Sequence, residues 1–287
     1  MNPVLKHQFR TAIDSKKEDN FQILVNELFI KKYGNAFSPV KQKRDKGCDG
    51  ILNNKTILAA YAPEKAILRN FKKKAGDDFE KYKSNWQRYS EWQYVYNGEY
   101  TSEMRNHLQS LKQDVITTDI NGLLDMIEQL PHSKCRELAS SLGIDEQYIV
   151  NDIMRAVIED LLKLAENAEA IRISRNSPPY IEDKIKINYE SSDVDDALKE
   201  YECVLEYFAQ LEDILKSYAN PEISSLKSKL INTYNKSQGN FKTRLNNLIE
   251  NFSGDNSKDD SYVFFVRVVL VYFFEICVIG KRLESEK

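Results

Sequence analysis

The 287-residue chain has few groups that crosslink or bind soft metals: four cysteines, at 48, 135, 203 and 277, none in a Cys-x-x-Cys pair, and three scattered histidines. That pattern supports neither a zinc site nor a disulfide framework, and reduced thiols are the expectation. No Gly-x-x-x-x-Gly-Lys-[Ser/Thr] loop is present, so any ATP chemistry belongs to another chain. An excess of charge of one sign is also missing. With a formal net charge of −3 there is no global basic field, and contact with nucleic acid has to rest on a local patch. The opening residues lack a charged-then-apolar leader pattern, which argues against secretion and for a cytoplasmic protein. Long hydrophobic runs are scarce. The one stretch of membrane length, Tyr262 to Ile279, carries Arg267 and Glu275 and reads as a buried helix or protein interface, not a span.

What is present suits a globular protein of one large or two ordinary domains, since 41% of residues are hydrophobic. Phe21, Leu24, Val25, Leu28 and Phe29 recur at helical spacing from Asn20 to Tyr33, with Glu27 near the middle of the helix. Phe37 to Lys41, Cys48 to Leu52 and Thr56 to Tyr61 read as strands, the last two joined by an Asn53-Asn54-Lys55 turn. A helix over Phe79 to Tyr89, a strand over Trp92 to Tyr96, a helix over Ser102 to Lys112 and a strand near Val115-Ile116 follow.

The order helix, three strands, helix, strand predicts an α/β restriction-endonuclease-like domain, a mixed sheet flanked by helices, over 1–120. A helical connector over 121–176 is expected to run helical to about Ile171 before the break at Ser177-Pro178-Pro179. A mainly helical C-terminal domain over 177–287 follows. In it Lys184 to Asn188 alternates, and long helices are expected from Asp193 to Tyr218, Ser224 to Phe252 and Asp260 to Arg282.

The chemistry concentrates in the second and third strands. Hydrolysing a phosphodiester calls for a divalent cation, Mg²⁺ or Mn²⁺, held by hard oxygen ligands. Asp49 opens one strand and supplies such a ligand, and Glu27 on the helix is the expected further acid. In an Asp-x(about 10)-[Glu/Gln]-x-Lys arrangement the acid and the lysine share a face, because strand side chains alternate with period two. Those positions hold Ala59 and Tyr61. Lys41, Lys43, Arg44 and Lys46, just before Asp49, form the candidate DNA-binding patch, and Lys72, Lys73 and Lys74 form a second basic run.

Asp49-Gly50, then Tyr61-Ala62-Pro63, Trp86, and Trp92 to Asn97 stand in the order found in PD-(D/E)XK nuclease domains of ABC-three-component, Lamassu-type antiphage defence systems, and the N-terminal part resembles them. The C-terminal part resembles the helical domain of the same systems through Lys184-Ile185-Lys186-Ile187-Asn188 and Tyr272 to Gly280. The resemblance implies a metal-dependent DNA endonuclease effector held inactive by an ABC/SMC-like ATPase and a small third subunit. A homo-oligomer is expected as the active form, because a handful of positive charges neutralises only about four phosphates and holds a duplex weakly. The resemblance assigns metal ligation to Asp49 and Glu27 and a place in the catalytic strand to position 59. Tyrosine, here Tyr61, already replaces the lysine of the general pattern in this subfamily, which leaves Lys41 or Lys65 to supply positive charge to the transition state. Ala59 departs from the expected Gln or Glu, by deliberate change or natural loss, and the alternative it raises is a catalytically dead adaptor of the same complex.

Overall fold

The computed structural model describes residues 1–40, 46–165 and 180–281. They divide into two compact units, Met1–Tyr148 and Ile149–Lys287.

The first unit opens with α1 (Pro3–Ser15), for which no element is expected above. Its start is well specified: Asn2 accepts a hydrogen bond from the Leu5 amide, and Pro3 occupies the first turn, where a missing N–H costs nothing. Leu5, Phe9 and Ile13, four residues apart, are its buried face. Then come α2 (Glu18–Tyr33), β1 (Phe37–Pro39), β2 (Gly50–Leu52), β3 (Thr56–Tyr61), α3 (Leu68–Asn85), β4 (Glu91–Tyr96), α4 (Ser102–Leu111), β5 (Ile116–Thr118), α5 (Ile120–Glu128) and α6 (His132–Ser141).

The strands form one mixed sheet in the order β1-β2-β3-β4-β5. The first three pair antiparallel, Gly50 opposite Leu58 and Leu52 opposite Thr56. Asn53 and Asn54 turn the hairpin with φ of 53° and 50°, a region asparagine tolerates better than most residues. The β3–β4 and β4–β5 pairs are parallel, which requires crossovers, and α3 and α4 provide them. On the face covered by these two helices, Ile57, Ala59, Trp92 and Tyr94 pack with Phe71 and Leu108. Helix α2 packs on β3 and β1. This sheet excludes a purely helical protein.

The second unit contains most of α7 (Glu146–Ala165), then α8 (Ile181–Asn188), α9 (Val194–Leu205), α10 (Phe208–Leu215), α11 (Asn220–Lys236), α12 (Phe241–Ser253) and α13 (Asp260–Glu275). The alternating segment Lys184 to Asn188 is thus helical, because Lys184, Ile185 and Asn188, spaced for one helix face, are its buried residues. The first two long helices expected here are each interrupted. Tyr207 breaks the first where its ring meets Phe264 and Phe265 edge-on, at 5.5 and 5.3 Å. The second breaks at Gly239, φ 104°, after which Asn240 caps Thr243. The third ends at Glu275. The expected helix to Ile171, the break at Ser177-Pro178-Pro179 and the helix end at Arg282 lie outside the described residues.

As expected for a covered element, Phe273, Phe274 and Val278 are buried. Among the described residues no helix is long and apolar enough to cross a membrane. The end of α13 is closed by Lys184, which is fully buried. Its ammonium donates to the Phe274 carbonyl, lies 3.0 Å from Cys277 Sγ and sits over the Phe274 ring. A cation there complements the carbonyl-rich helix terminus. Asn188 brackets the same turn, accepting from the Lys281 amide at 2.6 Å and donating to its carbonyl at 3.1 Å. The Lys184–Asn188 segment and the end of α13 are thus tied together.

Burial raises the Glu275 carboxyl above its ordinary range, opposed by a Tyr201 hydrogen bond and Lys184 and reinforced by Glu212. Among the described residues one of its oxygens has no hydrogen-bond partner. A carboxyl raised in the folded state stabilises folding while protonated, a contribution lost as pH rises through the folded value. Glu275→Gln is expected to raise the thermal midpoint at neutral pH. The gain should vanish below the ordinary carboxylate range, and melting curves at neutral and acidic pH check it.

Candidate active site

Several conspicuous residues of the N-terminal motif act as ties around one opening. The Ala62 carbonyl accepts from the Glu18 amide at 2.9 Å and fixes the start of α2 beside the end of β3. Asn97 donates its side-chain amide to the Lys16 carbonyl at 3.1 Å, and its backbone amide to that of Tyr61 at 3.3 Å. Trp86, at the end of α3, donates from Nε1 to the Lys46 carbonyl at 3.2 Å. The following residue, Gly47, has φ +77° and lies so close to α3 that an added Cβ would stand 2.9 Å from that of Lys81. Only glycine meets both conditions easily. The loop that carries Asp49 is thereby pressed against α3.

These ties frame a cavity of about 540 Å³ between the start of α2, the β2–β3 edge and α3. Asp49 lines it, and its Oδ2 accepts from the Ala60 amide at 2.5 Å, holding the carboxylate against the strand. Tyr61 and Lys65 line it from the end of β3 onward. From α3 come Lys74, Lys81 and Asp78, whose carboxylate is almost wholly buried. Lys74 Nζ stands 2.5 Å from Asp78 Oδ1, Lys81 Nζ is 3.9 Å from the same oxygen, and Tyr94 Oη is 3.5 Å from Oδ2. Gln22, on α2, is 6% exposed and lines the cavity, and among the described residues its amide nitrogen has no hydrogen-bond partner.

The expected site residues divide. Asp49, Tyr61 and Lys65 reach the cavity. Extending the β2–β3 register by one residue sets Asp49 opposite Ala59, yet Ala59 is 1% exposed within the aromatic core and does not line the opening. Glu27 is not in the site. It accepts from Ser141 Oγ at 2.9 Å and lies 3.7 Å from Lys31, because five helical residues beyond Gln22 is about 140° around the helix. Lys46 is exposed on the loop before Asp49. Lys41, Lys43 and Arg44 lie outside the described residues.

Sequence reading passes over Gln22, Asp78 and Lys81. An i, i+4 Lys–Asp pair on a lysine-rich helix reads as a solvated face. The legible clue is Lys74, the last member of the second basic run.

Burial, and then the charge of Asp78, holds the Tyr61 phenol above its ordinary value. Burial and the same carboxylate raise that of Tyr94 much further. Both phenols are therefore neutral donors at physiological pH, and Tyr61 does not reproduce the positive charge of a lysine.

Among the described residues no three His, Cys, Asp or Glu side chains stand together as a metal-holding group. Mg²⁺ does not require one, since it keeps several waters and is commonly bound through one or two carboxylates and the substrate phosphate. Asp49 and Asp78, with the unpartnered Gln22 amide in the same cavity, suit that minimal arrangement. Comparisons with protein-family models, with curated proteins and with solved structures find no match.

Proposed function

We propose that the Met1–Tyr148 unit is a divalent-metal-dependent phosphodiesterase acting on double-stranded DNA. The observation that carries the reading is one cavity that gathers Asp49, the buried Asp78, lysines and the unpartnered Gln22 amide. A bound Mg²⁺ or Mn²⁺ would polarise the phosphoryl group and make hydroxide available near neutral pH. Asp49, held by the Ala60 amide, would ligate it. Lys65 and Lys81 would neutralise phosphates of the strand, and Tyr61 would donate to a phosphate oxygen. In the net reaction a water oxygen bonds to phosphorus, the bond to the departing sugar oxygen breaks, and that oxygen takes a proton from the water.

The motif resemblance extends the proposal to an antiphage endonuclease effector restrained by ATPase and small third subunits and active as a homo-oligomer. The helical second unit is the natural site for those contacts. A second reading, a non-cleaving adaptor in the same assembly, is favoured by Ala59 in the core. Incubating the purified chain with plasmid and linear DNA, in Mg²⁺ and in EDTA, separates them: cleavage that needs the metal supports the nuclease, and none at any concentration supports the adaptor.

A binding measurement adds to this. Lys65→Gln is expected to weaken affinity for a labelled duplex and to lower the slope of log affinity against log salt by about one, the signature of one lost phosphate contact. An unchanged slope in a fluorescence anisotropy titration removes Lys65 from the DNA path.

A further inference from the structure

We infer that α3 supplies the groups β3 lacks: Asp78 joins Asp49 as the second metal-binding carboxylate, Lys74 provides the positive charge, and Gln22 donates to the bound phosphate from α2. The inference rests on the phosphodiesterase reading and deepens it.

Position 59 offers no ligand atom, and its methyl group is closed inside the core. The side chain at 61 is a phenol. Both residues belong to the sheet face on which α3 packs, so a side chain from the helix approaches the space that a longer residue 59 would fill from the strand. Asp78, 1% exposed, borders the cavity and lies 3.5 Å from the phenol of Tyr94, the strand residue paired with Ala59.

Taking a carboxylate out of water costs several kcal/mol unless partners compensate. Ordinary i, i+4 pairs on helices leave both ends wet and contribute little. Here Lys74 and Lys81 keep solvent-exposed side chains, 42% and 51%, while the acid between them is sealed at 2%. A surface ion pair has no need of that asymmetry. A ligand carboxylate does, since low dielectric strengthens its hold on a cation.

The second, independent mark is Gln22. A buried amide donor without an acceptor costs about 1–3 kcal/mol. A phosphate oxygen or a metal-bound water entering the cavity would satisfy it. Gly47 seats the Asp49 loop closely on α3, and all four groups line the same cavity.

The test uses the unmodified chain and three variants. Fe²⁺ placed in the metal site, with ascorbate and peroxide, cuts the backbone beside the ion. Cuts near both 49 and 78 are expected, and cuts near 49 alone overturn the inference even if no variant can be purified. Asp78→Asn, folded by circular dichroism, should bind Mn²⁺ about 10–100-fold more weakly by electron paramagnetic resonance and cleave DNA at least about a hundredfold more slowly. Lys74→Arg should keep activity that Lys74→Gln loses. If Asp78→Asn binds Mn²⁺ and cuts as the unmodified chain does, the assignment to α3 fails and the phosphodiesterase reading stands. If the unmodified chain neither binds Mn²⁺ nor cuts, both fail.

Discussion

Asp49→Asn should reduce Mg²⁺-dependent DNA cleavage by about a hundredfold or more, while the thermal midpoint hardly moves. Loss of a ligand or of a preorganised charged group at a reacting phosphate commonly has an effect of that size. The stability half of the expectation follows from the hydrogen bond from the Ala60 amide to Asp49 Oδ2. An asparagine carbonyl accepts the same bond, so the strand end stays capped while the negative charge disappears. Glu27→Gln is the matched control. Its carboxylate faces Ser141 and Lys31, and cleavage should be unchanged. Parallel rate measurements at saturating Mg²⁺, with melting curves for each variant, read both halves.

The largest stability effect is expected at Trp92. Its side chain is wholly buried, lying 5.1 Å from the Phe79 ring, 5.3 Å from Tyr94 and 6.1 Å from Tyr82. Truncating a buried aromatic to alanine costs about 3–5 kcal/mol through lost transfer energy and the cavity left behind. Trp92→Phe should cost far less. Among the described residues the indole nitrogen has no hydrogen-bond partner, so losing it with the five-membered ring sacrifices no bond and removes a buried unsatisfied donor. Urea unfolding of the two variants, followed by circular dichroism, gives the comparison. Equal losses would mean that the indole nitrogen is held by a contact formed in solution.

How far the sequence could be read depended on whether the signal was local. Thr56 to Tyr61 and Trp92 to Tyr96 are apolar or aromatic runs with polar or glycine-containing breaks beside them, and both are strands. The Asn53-Asn54 turn is legible for the same reason. Helix α1 was legible too, from Asn2, Pro3 and the spacing of Leu5, Phe9 and Ile13, although no element was expected there. The interruption at Tyr207 was not. It contains no proline or glycine, and the chain breaks where an aromatic ring finds Phe264 and Phe265, a contact made across the unit.

The candidate site shows the same division. Asp49 is visible because an acid before a glycine and an apolar strand is a local pattern. Which acid or amide of α2 faces the opening depends on helix phase, fixed by the bond between Glu18 and Ala62, and that phase selects Gln22 over Glu27. Asp78 hides for a further reason. Its burial comes from the seating of α3 against the Gly47 loop, which no spacing within α3 encodes.

The measurement closest to the central claim is single-turnover cleavage of an end-labelled duplex by the unmodified chain, run in Mg²⁺, in Mn²⁺ and in EDTA, with Asp49→Asn alongside. Cleavage in both metals that disappears in EDTA and falls at least about a hundredfold in the variant is the expected result. Cutting that persists in EDTA, or that is equal in the two proteins, would contradict a metal-dependent phosphodiesterase built on Asp49.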